Sequence, residues 1–356
     1  MTLSPNHSLR RPLHPASDPV VQQPSLHIWE VLAVTRFCLA LIVAAYHIQM
    51  YFGSSSDPWK VVGIVGNLNG QAAVVGFLLI SGFSICHSLV SSPRNYLWRR
   101  FLRIYPLYLT GILLTCWWCG DRPSGPMGNA SVEWPPGSQI FGQILMLDGV
   151  VTRTLDGNLA LWTIGLEWWC YMAAPLLLAV NKRLMLPILV ILAAAHLSWI
   201  FLGPKLGGHY MHTAFGLKIW FMSVFWVLGF WYYLNCSNAG TPCKLVLAVW
   251  LLTGVNQDNL GAHSQITLML SCMALIAAPH VVVPRWLCPF CTWLGNVSYP
   301  LYLLHLPVYT LLYHKLHLEN GPLLILGSMV AAMIAHLVIE QPLKRILSTA
   351  RLNRAC

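Results

Sequence analysis

Apolar residues occur along this chain of 356 residues in long runs, which short polar or charged segments separate. Most of the runs approach the ~20 residues that an α-helix needs to cross the hydrocarbon of a bilayer. Together with turn and charge signals, the pattern predicts an all-α polytopic membrane protein with about ten transmembrane helices. The predicted spans are residues 28–52, 68–90, 101–119, 159–180, 184–202, 217–235, 244–256, 265–283, 292–314 and 321–343.

The two ends of the chain fall outside this pattern. Residues 1–27 are polar and rich in Pro and Ser, and we expect them to form a disordered cytoplasmic tail. Residues 346–356 form a second cytoplasmic tail, and residues 28–345 form one transmembrane domain without an internal repeat. The first apolar run starts too late and is too long for a cleavable signal peptide, so we expect it to be retained.

The composition also indicates a membrane protein. Hydrophobic residues make up 56% of the chain and charged residues only 9%, against roughly 25% charged in soluble domains. The lipid bilayer is therefore an expected partner. The net charge of +10 could instead indicate nucleic acid, but no basic stretch alternates with stacking aromatic residues on a polar domain. Nucleic-acid binding is therefore excluded.

The basic residues predict the orientation of the chain. If the N-terminus is cytoplasmic, fourteen of the 21 Lys and Arg residues fall in inner segments and six in outer segments, with Arg36 inside a span. This excess of inner positive charge follows the positive-inside rule. Both termini are therefore predicted to be cytoplasmic, which gives each buried polar residue a depth in the membrane.

The cysteines include two CxxC pairs, Cys116/Cys119 and Cys288/Cys291. The predicted topology places the pairs on opposite faces of the membrane, which excludes a shared four-cysteine zinc site, and no metal is expected. Packing is the favoured interpretation of both pairs. A disulfide between Cys116 and Cys119 is the alternative if the outer side is oxidising.

Arg36 and His47 lie in the first apolar run, where a charged or titratable side chain is costly. They are eleven residues apart, about three helical turns, so both side chains fall on one stripe about 16 Å apart. Such residues usually face a protein-lined or water-filled interior and mark a substrate or proton path. The cost of burying both disfavours a purely structural role.

The predicted orientation collects further basic residues at the inner side of the membrane. Arg99, Arg100 and Arg103 open the third span near the depth of Arg36, and Glu340 lies at the inner end of the tenth span. Guanidinium groups bind phosphate oxygens in a fixed fork, so this inner layer suits a polyphosphate from the cytoplasm. Two alternatives remain open: the arginines of the third span only set the topology, or Glu340 pairs with an arginine across the bundle.

A second layer is predicted nearer the outer surface. His47, Glu167 and His305 all fall about 8–14 Å below that surface at 1.5 Å per residue, so their depths allow contact. A histidine with a carboxylate partner is the usual pair for general base catalysis on a hydroxyl. The alternative for His305 is a hydrogen-bonded core histidine.

Six short segments that contain these residues follow one another along the chain. They are residues 36–47, 77–83 with Ser81, 100–106 with Tyr105, 162–171 with Glu167, 298–307 with His305, and 340–342 with Glu340. In residue type and order they resemble the membrane-bound acyltransferase-3 family of O-acyltransferases, over about residues 28–345. Val75 and Leu78 depart from the family pattern, in which an acidic or polar residue and a second Phe are common.

The resemblance implies an O-acyltransferase of the cytoplasmic (inner) membrane. Its donor would be an acyl-CoA, by default acetyl-CoA, and its acceptor a hydroxyl of a cell-surface polysaccharide, lipopolysaccharide or oligosaccharide. The resemblance also implies that His47 is catalytic. It assigns the acyl-CoA site to Arg36, Arg100 and Arg103. We therefore predict that Glu167 or another polar neighbour orients His47 as a general base, with a covalent acyl-His intermediate as the alternative. The further polar site candidates are Ser81, Tyr105, His305 and Glu340.

Two other function classes are compatible with the composition. A proton-coupled multi-pass transporter could use the same buried Arg, His and Glu residues, but it would favour repeat symmetry and charges near the midplane. A structural protein leaves the buried charges unexplained. Some family members carry a C-terminal hydrolase-like domain; this chain ends soon after the tenth span, so we expect the membrane domain to act alone.

Overall fold

A computed structural model of the chain describes residues 27–52, 60–119, 134–155, 157–202, 217–255 and 263–345. These residues form helices and connecting turns, without any β-strand longer than a single bridge between Asp148 and Thr152. The helices are α1 (Ile28–Phe52), α2 (Val61–Gly66), α3 (Gly70–Ser91), α4 (Tyr96–Cys119), α5 (Gly137–Ile144), α6 (Leu161–Ala179), α7 (Lys182–Leu202), α8 (Leu217–Asn235), α9 (Thr241–Gly254), α10 (Ser264–Ala277), α11 (Cys288–Leu316) and α12 (Gly321–Ala335). A π-helical turn, His336–Glu340, follows α12.

Each predicted span corresponds to one of these helices, and α2 and α5 are additional short helices. Neither was predicted, because α2 has only six residues and α5 lies in a polar connection rich in Pro and Gly. Helix α10 ends at Ala277, six residues before the predicted end. Pro279 follows two residues later, and a proline has no N–H with which to continue the hydrogen bonds of the helix.

Four of the described helices are long and apolar enough to cross a membrane, namely residues 28–51, 70–91, 183–202 and 321–345. Three shorter helices, at residues 219–235, 241–254 and 264–277, are also apolar. The protein is therefore a helical membrane protein. The number of ten spans and the cytoplasmic position of both termini stay predictions.

Helices α1, α3 and α11 lie at the centre of the bundle. The most apolar stretch is 56% buried in α1 and 67% buried in α3, against 22% in α7 and 28% in the last helix. Helix α1 packs mainly against α11, and α3 packs mainly against α8. The polar residues predicted in α1, α3 and α11 are therefore surrounded by protein on most sides.

Two glycines allow α3 and α8 to approach closely. A Cβ atom at Gly82 would clash with the backbone carbonyl of Trp226, and one at Gly229 would clash with the carbonyl of Leu79. Small residues at a helix crossing let the two backbones meet in this way. The contact fixes the height of Ser81 relative to α8, where Trp226 Nε1 donates a hydrogen bond to Ser81 Oγ at 3.3 Å.

The second CxxC pair consists of free thiols. Cys291 is buried, and the Cys288 thiol lies 3.5 Å from the carbonyl oxygen of Pro284. The side chain of Cys119 lies outside the described residues, so both interpretations of the first pair stay predictions. Within the described part of the chain, no three His, Cys, Asp or Glu side chains group together as metal ligands.

Candidate active site

A cavity of about 110 Å³ lies between α1, α3, α4, α6 and α11. Its lining includes five of the residues predicted from the sequence: Arg36, Ser81, Arg100, Arg103 and Glu167. We call it the arginine cavity. Its other polar lining residues are Ser84, Thr163, Tyr171, Ser298, Tyr299 and Tyr302.

The three guanidinium groups of the arginine cavity lack a carboxylate partner. Arg36 Nε donates to the carbonyl of Leu32 on its own helix at 3.3 Å. Arg100 donates to Ser88 Oγ, and its Nε is buried without any partner. Among the described residues, no carboxylate oxygen lies within the 4.0 Å of an ion pair to Arg36, Arg100 or Arg103. Arg103 is exposed, so the rim of the cavity reaches the surface of the bundle.

Among the described residues that line the cavity, the single carboxylate belongs to Glu167. Tyr171, one turn further along α6, donates its hydroxyl proton to Glu167 Oε2 at 3.1 Å, and Ser81 Oγ lies 3.2 Å from that hydroxyl. Glu167 is also close enough to Arg36 and Arg103 for electrostatic attraction. Three cations and one anion leave the cavity with an excess of positive charge, which favours an anionic ligand.

A pair of histidines lies in the contact between α1 and α11. His47 Nδ1 and His305 Nε2 are 2.7 Å apart, a hydrogen-bond distance, and the two rings are tilted by only 12°. His305 is fully buried, whereas His47 keeps part of its surface exposed. We call these two residues the histidine pair.

Tyr302 lies between the arginine cavity and the histidine pair. Its side chain lines the arginine cavity, and its ring centroid lies 6.2 Å from that of His305, one turn further along α11. The Tyr302 hydroxyl forms a 2.8 Å hydrogen bond with Thr163 Oγ1, and the Phe77 ring packs edge-on against the Tyr302 ring at 5.3 Å. Phe77 and Thr163 also line the cavity, so the Tyr302 ring is held between the arginine cavity and the histidine pair.

The part of α11 that carries Tyr302 and His305 contains a break in its backbone hydrogen bonds. Pro307 has no N–H, so the carbonyl of Leu303 lacks its usual donor four residues later. The fully buried Asn158 supplies the missing donor through Nδ2, at 3.1 Å from that carbonyl oxygen. Asn158 therefore ties the segment before α6 to the turn of α11 that holds His305.

A family model described as an acyltransferase domain matches residues 30–340, most of the chain. The chain belongs to the acyltransferase-3 family. It is therefore a membrane acyltransferase, and the family resemblance drawn from the six sequence segments is confirmed. Comparisons with curated proteins and with solved structures found no match.

Within this acyltransferase, the residues predicted for the outer layer separate into two groups. His47 and His305 contact each other, whereas Glu167 lies among the arginines and accepts its hydrogen bond from Tyr171. The segment before α6 packs into the bundle. Asp148, Leu155 and other residues of this segment are almost fully buried. Helix α6 therefore starts from a buried segment, and its Glu167 lines the arginine cavity.

Three other predicted residues lie outside the arginine cavity. Tyr105 stacks on the ring of Phe101, with ring centroids 4.6 Å apart. Glu340 forms a 2.7 Å contact with His336 and lies 3.9 Å from Lys344, both on its own helical segment. No arginine of the described residues lies within 4.0 Å of Glu340, so the structure shows no arginine partner across the bundle in this part of the chain. Arg99 donates to the carbonyls of Ser92 and Arg94, which closes the turn between α3 and α4.

Sequence reasoning assigned no role to Tyr171, Thr163 and Tyr302, although all three lie in family segments. Tyr171 is one turn from Glu167 and Tyr302 one turn from His305, so both share a helix stripe with a predicted residue. Helical spacing around each predicted residue could have found these two. No local signal pairs Thr163 with Tyr302, because they lie on different helices.

Proposed function

We propose that this protein transfers an acyl group, acetyl by default, from cytoplasmic acyl-CoA to a hydroxyl of a cell-surface polysaccharide, lipopolysaccharide or oligosaccharide. The observation that carries the proposal is the cluster of Arg36, Arg100 and Arg103 around one cavity with a single carboxylate. His47, the member of the histidine pair that lies on the same helix α1 as Arg36, supplies a base for the chemistry. The orientation predicted from the basic residues places the cluster on the cytoplasmic side of the cytoplasmic membrane.

The arginine cavity has the donor groups that a diphosphate requires. Guanidinium groups form strong, charge-assisted hydrogen bonds with phosphate oxygens. The buried, unpartnered Nε of Arg100 is costly unless a ligand accepts from it. A phosphate oxygen at this position would satisfy it. When bound, acyl-CoA supplies an activated thioester carbon.

His47 would act on the acceptor hydroxyl as a general base. It removes the hydroxyl proton while the hydroxyl oxygen forms a bond to the acyl carbon. The carbon–sulfur bond then breaks, and His47 returns the proton to the departing thiolate, so the histidine ends in its starting state. Such catalysis contributes about 10²–10⁴-fold to the rate. A covalent acyl group on His47 is the alternative route.

The distance between the arginine cavity and His47 supports an acyl donor that reaches from the cavity to the histidine. Arg36 and His47 lie on one stripe of α1, about 16 Å apart at 1.5 Å per residue. The pantetheine arm of acyl-CoA is long enough to cover that separation. A phosphate anchor at one end and a base at the other would then hold the thioester where a hydroxyl from the far side can attack it.

The test uses the full-length protein in membranes with radiolabelled acetyl-CoA and a preparation of surface glycans. His47→Ala should reduce the transfer of label to glycan by at least about 10²-fold. His280→Ala, at an exposed histidine in the turn after α10, is the matched control and should keep the wild-type rate. Wild-type transfer by His47→Ala would refute the role of His47. Uptake of a solute without any glycan labelling by the wild type would favour a transporter.

A further inference from the structure

We propose that His305 is a positioning residue that fixes the tautomer of His47, so that the lone pair of His47 Nε2 faces the acceptor hydroxyl. The inference rests on the proposed role of His47 as the base. The sequence predicted Glu167 or another polar neighbour as the residue that orients His47, and the inference assigns this role to the imidazole of His305.

The first step concerns the ring of His305. Its Nδ1 lies 2.7 Å from the backbone carbonyl oxygen of Tyr302 and 3.2 Å from that of Leu301. A carbonyl oxygen only accepts hydrogen bonds, so His305 Nδ1 carries a proton. The side chain is fully buried, and a buried positive charge costs desolvation free energy. A neutral imidazole carries one N–H, so His305 Nε2 is an acceptor.

The second step follows for His47. Its Nδ1 is 2.7 Å from His305 Nε2, and one of two nitrogens at this distance must donate. Since His305 Nε2 accepts, His47 Nδ1 carries the proton. The remaining nitrogen, His47 Nε2, is then unprotonated and is the atom that can accept the proton of a hydroxyl.

His305 also stabilises the charged form of His47 that the reaction requires. When His47 Nε2 takes up a proton, its Nδ1–H donates to His305 Nε2 as a charge-assisted hydrogen bond, which is stronger than a neutral one. This is the role that a carboxylate has in a Ser-His-Asp triad, where it holds the imidazole in one tautomer and stabilises the imidazolium. A neutral imidazole does this without adding a negative charge to the interior.

The surroundings hold His305 in this orientation. Tyr309, one turn further along α11, packs edge-on against the His305 ring at a centroid distance of 5.5 Å. The same tyrosine donates through its hydroxyl to the carbonyl of Ala44 on α1 at 3.3 Å. The helices that carry the two histidines are thus linked directly beside the histidine pair.

The tautomer can be measured without any catalytic assay. Solid-state NMR of the wild-type protein in lipid, with isotopically labelled histidine ring nitrogens, distinguishes protonated from unprotonated nitrogens. The His47 signals are those missing from the spectrum of His47→Gln. We expect a protonated Nδ1 and an unprotonated Nε2. A protonated Nε2 with an unprotonated Nδ1 would overturn the inference, whether or not His47 is the base.

Variants at His305 test the consequence for the reaction. His305→Leu removes the acceptor and should lower kcat by at least about tenfold, with the KM for acetyl-CoA within about twofold of the wild type. His305→Gln places an amide oxygen near the position of Nε2 and should recover most of that loss. Equal loss in both variants at wild-type thermal stability would overturn the positioning role. If His305→Leu does not fold, the NMR spectrum of the wild-type protein still shows which nitrogen of His47 carries the proton.

Discussion

The arginine cavity and the histidine pair are both polar places inside an apolar bundle, but their hydrogen bonds are satisfied to different degrees. In the arginine cavity, Arg100 Nε has no partner and Arg103 reaches the surface. In the histidine pair, three of the four ring nitrogens already have partners within the protein. Polar groups without a partner in the protein are suited to binding a ligand. Polar groups that the protein already holds in one orientation are suited to a catalytic step that requires a fixed geometry.

The difference also concerns charge. The arginine cavity combines three guanidinium groups with one carboxylate, and its excess positive charge favours an anion. The histidine pair is neutral in the arrangement inferred above, so it can accept a proton without first releasing one. Substitutions in the cavity should therefore affect donor binding, and substitutions near the histidine pair should affect the rate of the chemical step.

The largest effect on donor binding is expected from the arginine that lies at the rim of the cavity. Arg103→Gln should raise the KM for acyl-CoA by about tenfold or more, because a hydrogen bond to a charged group contributes about 1.5–3 kcal/mol. The KM for the acceptor glycan should change less than about twofold. Arg153→Gln, at an exposed position before α6, is the matched control. A larger change in the acceptor KM than in the donor KM would contradict the placement of the donor site.

A smaller effect is expected at Glu167, the residue that the sequence and the structure place differently. Glu167→Gln keeps an acceptor for the Tyr171 hydroxyl and removes the one negative charge found among the described residues that line the arginine cavity. The KM for acyl-CoA should then fall by about threefold to fivefold, because an anion enters a more positive site. Steady-state kinetics with both substrates measures this. If instead the turnover rate fell by about 10²-fold at unchanged donor KM, Glu167 would be supported as the partner of His47.

Sequence patterns predicted the helices and one inner layer for Arg36, Arg100 and Arg103 for physical reasons, whereas Arg99 and Glu340 of that predicted layer lie outside the arginine cavity. Buried apolar runs have the length of a membrane span, and the spacing of Arg100 and Arg103 fixes both on one helix. The contact between His47 and His305 joins residues 258 positions apart, so no local pattern predicts it. The placement of Glu167 among the arginines likewise depends on how α6 packs against α3 and α4, which no local pattern along α6 predicts.

The smallest effect is expected at a residue that touches neither the cavity nor the histidine pair. Asn158→Ala removes the donor to the Leu303 carbonyl, which Pro307 cannot replace. A buried carbonyl without a partner costs about 1–3 kcal/mol, so thermal stability should fall. Because Leu303 lies next to Tyr302 and two residues before His305, kcat should also fall by about threefold, while the donor KM should not change.

The proline offers a way to separate this effect from a general loss of packing. In Asn158→Ala combined with Pro307→Ala, the new backbone N–H at position 307 can donate to the Leu303 carbonyl in the usual helical manner. The double variant should therefore be more stable than Asn158→Ala alone, and its kcat should recover. If the effects of the two substitutions on thermal stability and on kcat are additive, the Asn158 hydrogen bond does not hold this turn of α11. A recovery of both would show that the histidine pair depends on a hydrogen bond from the segment that leads into α6.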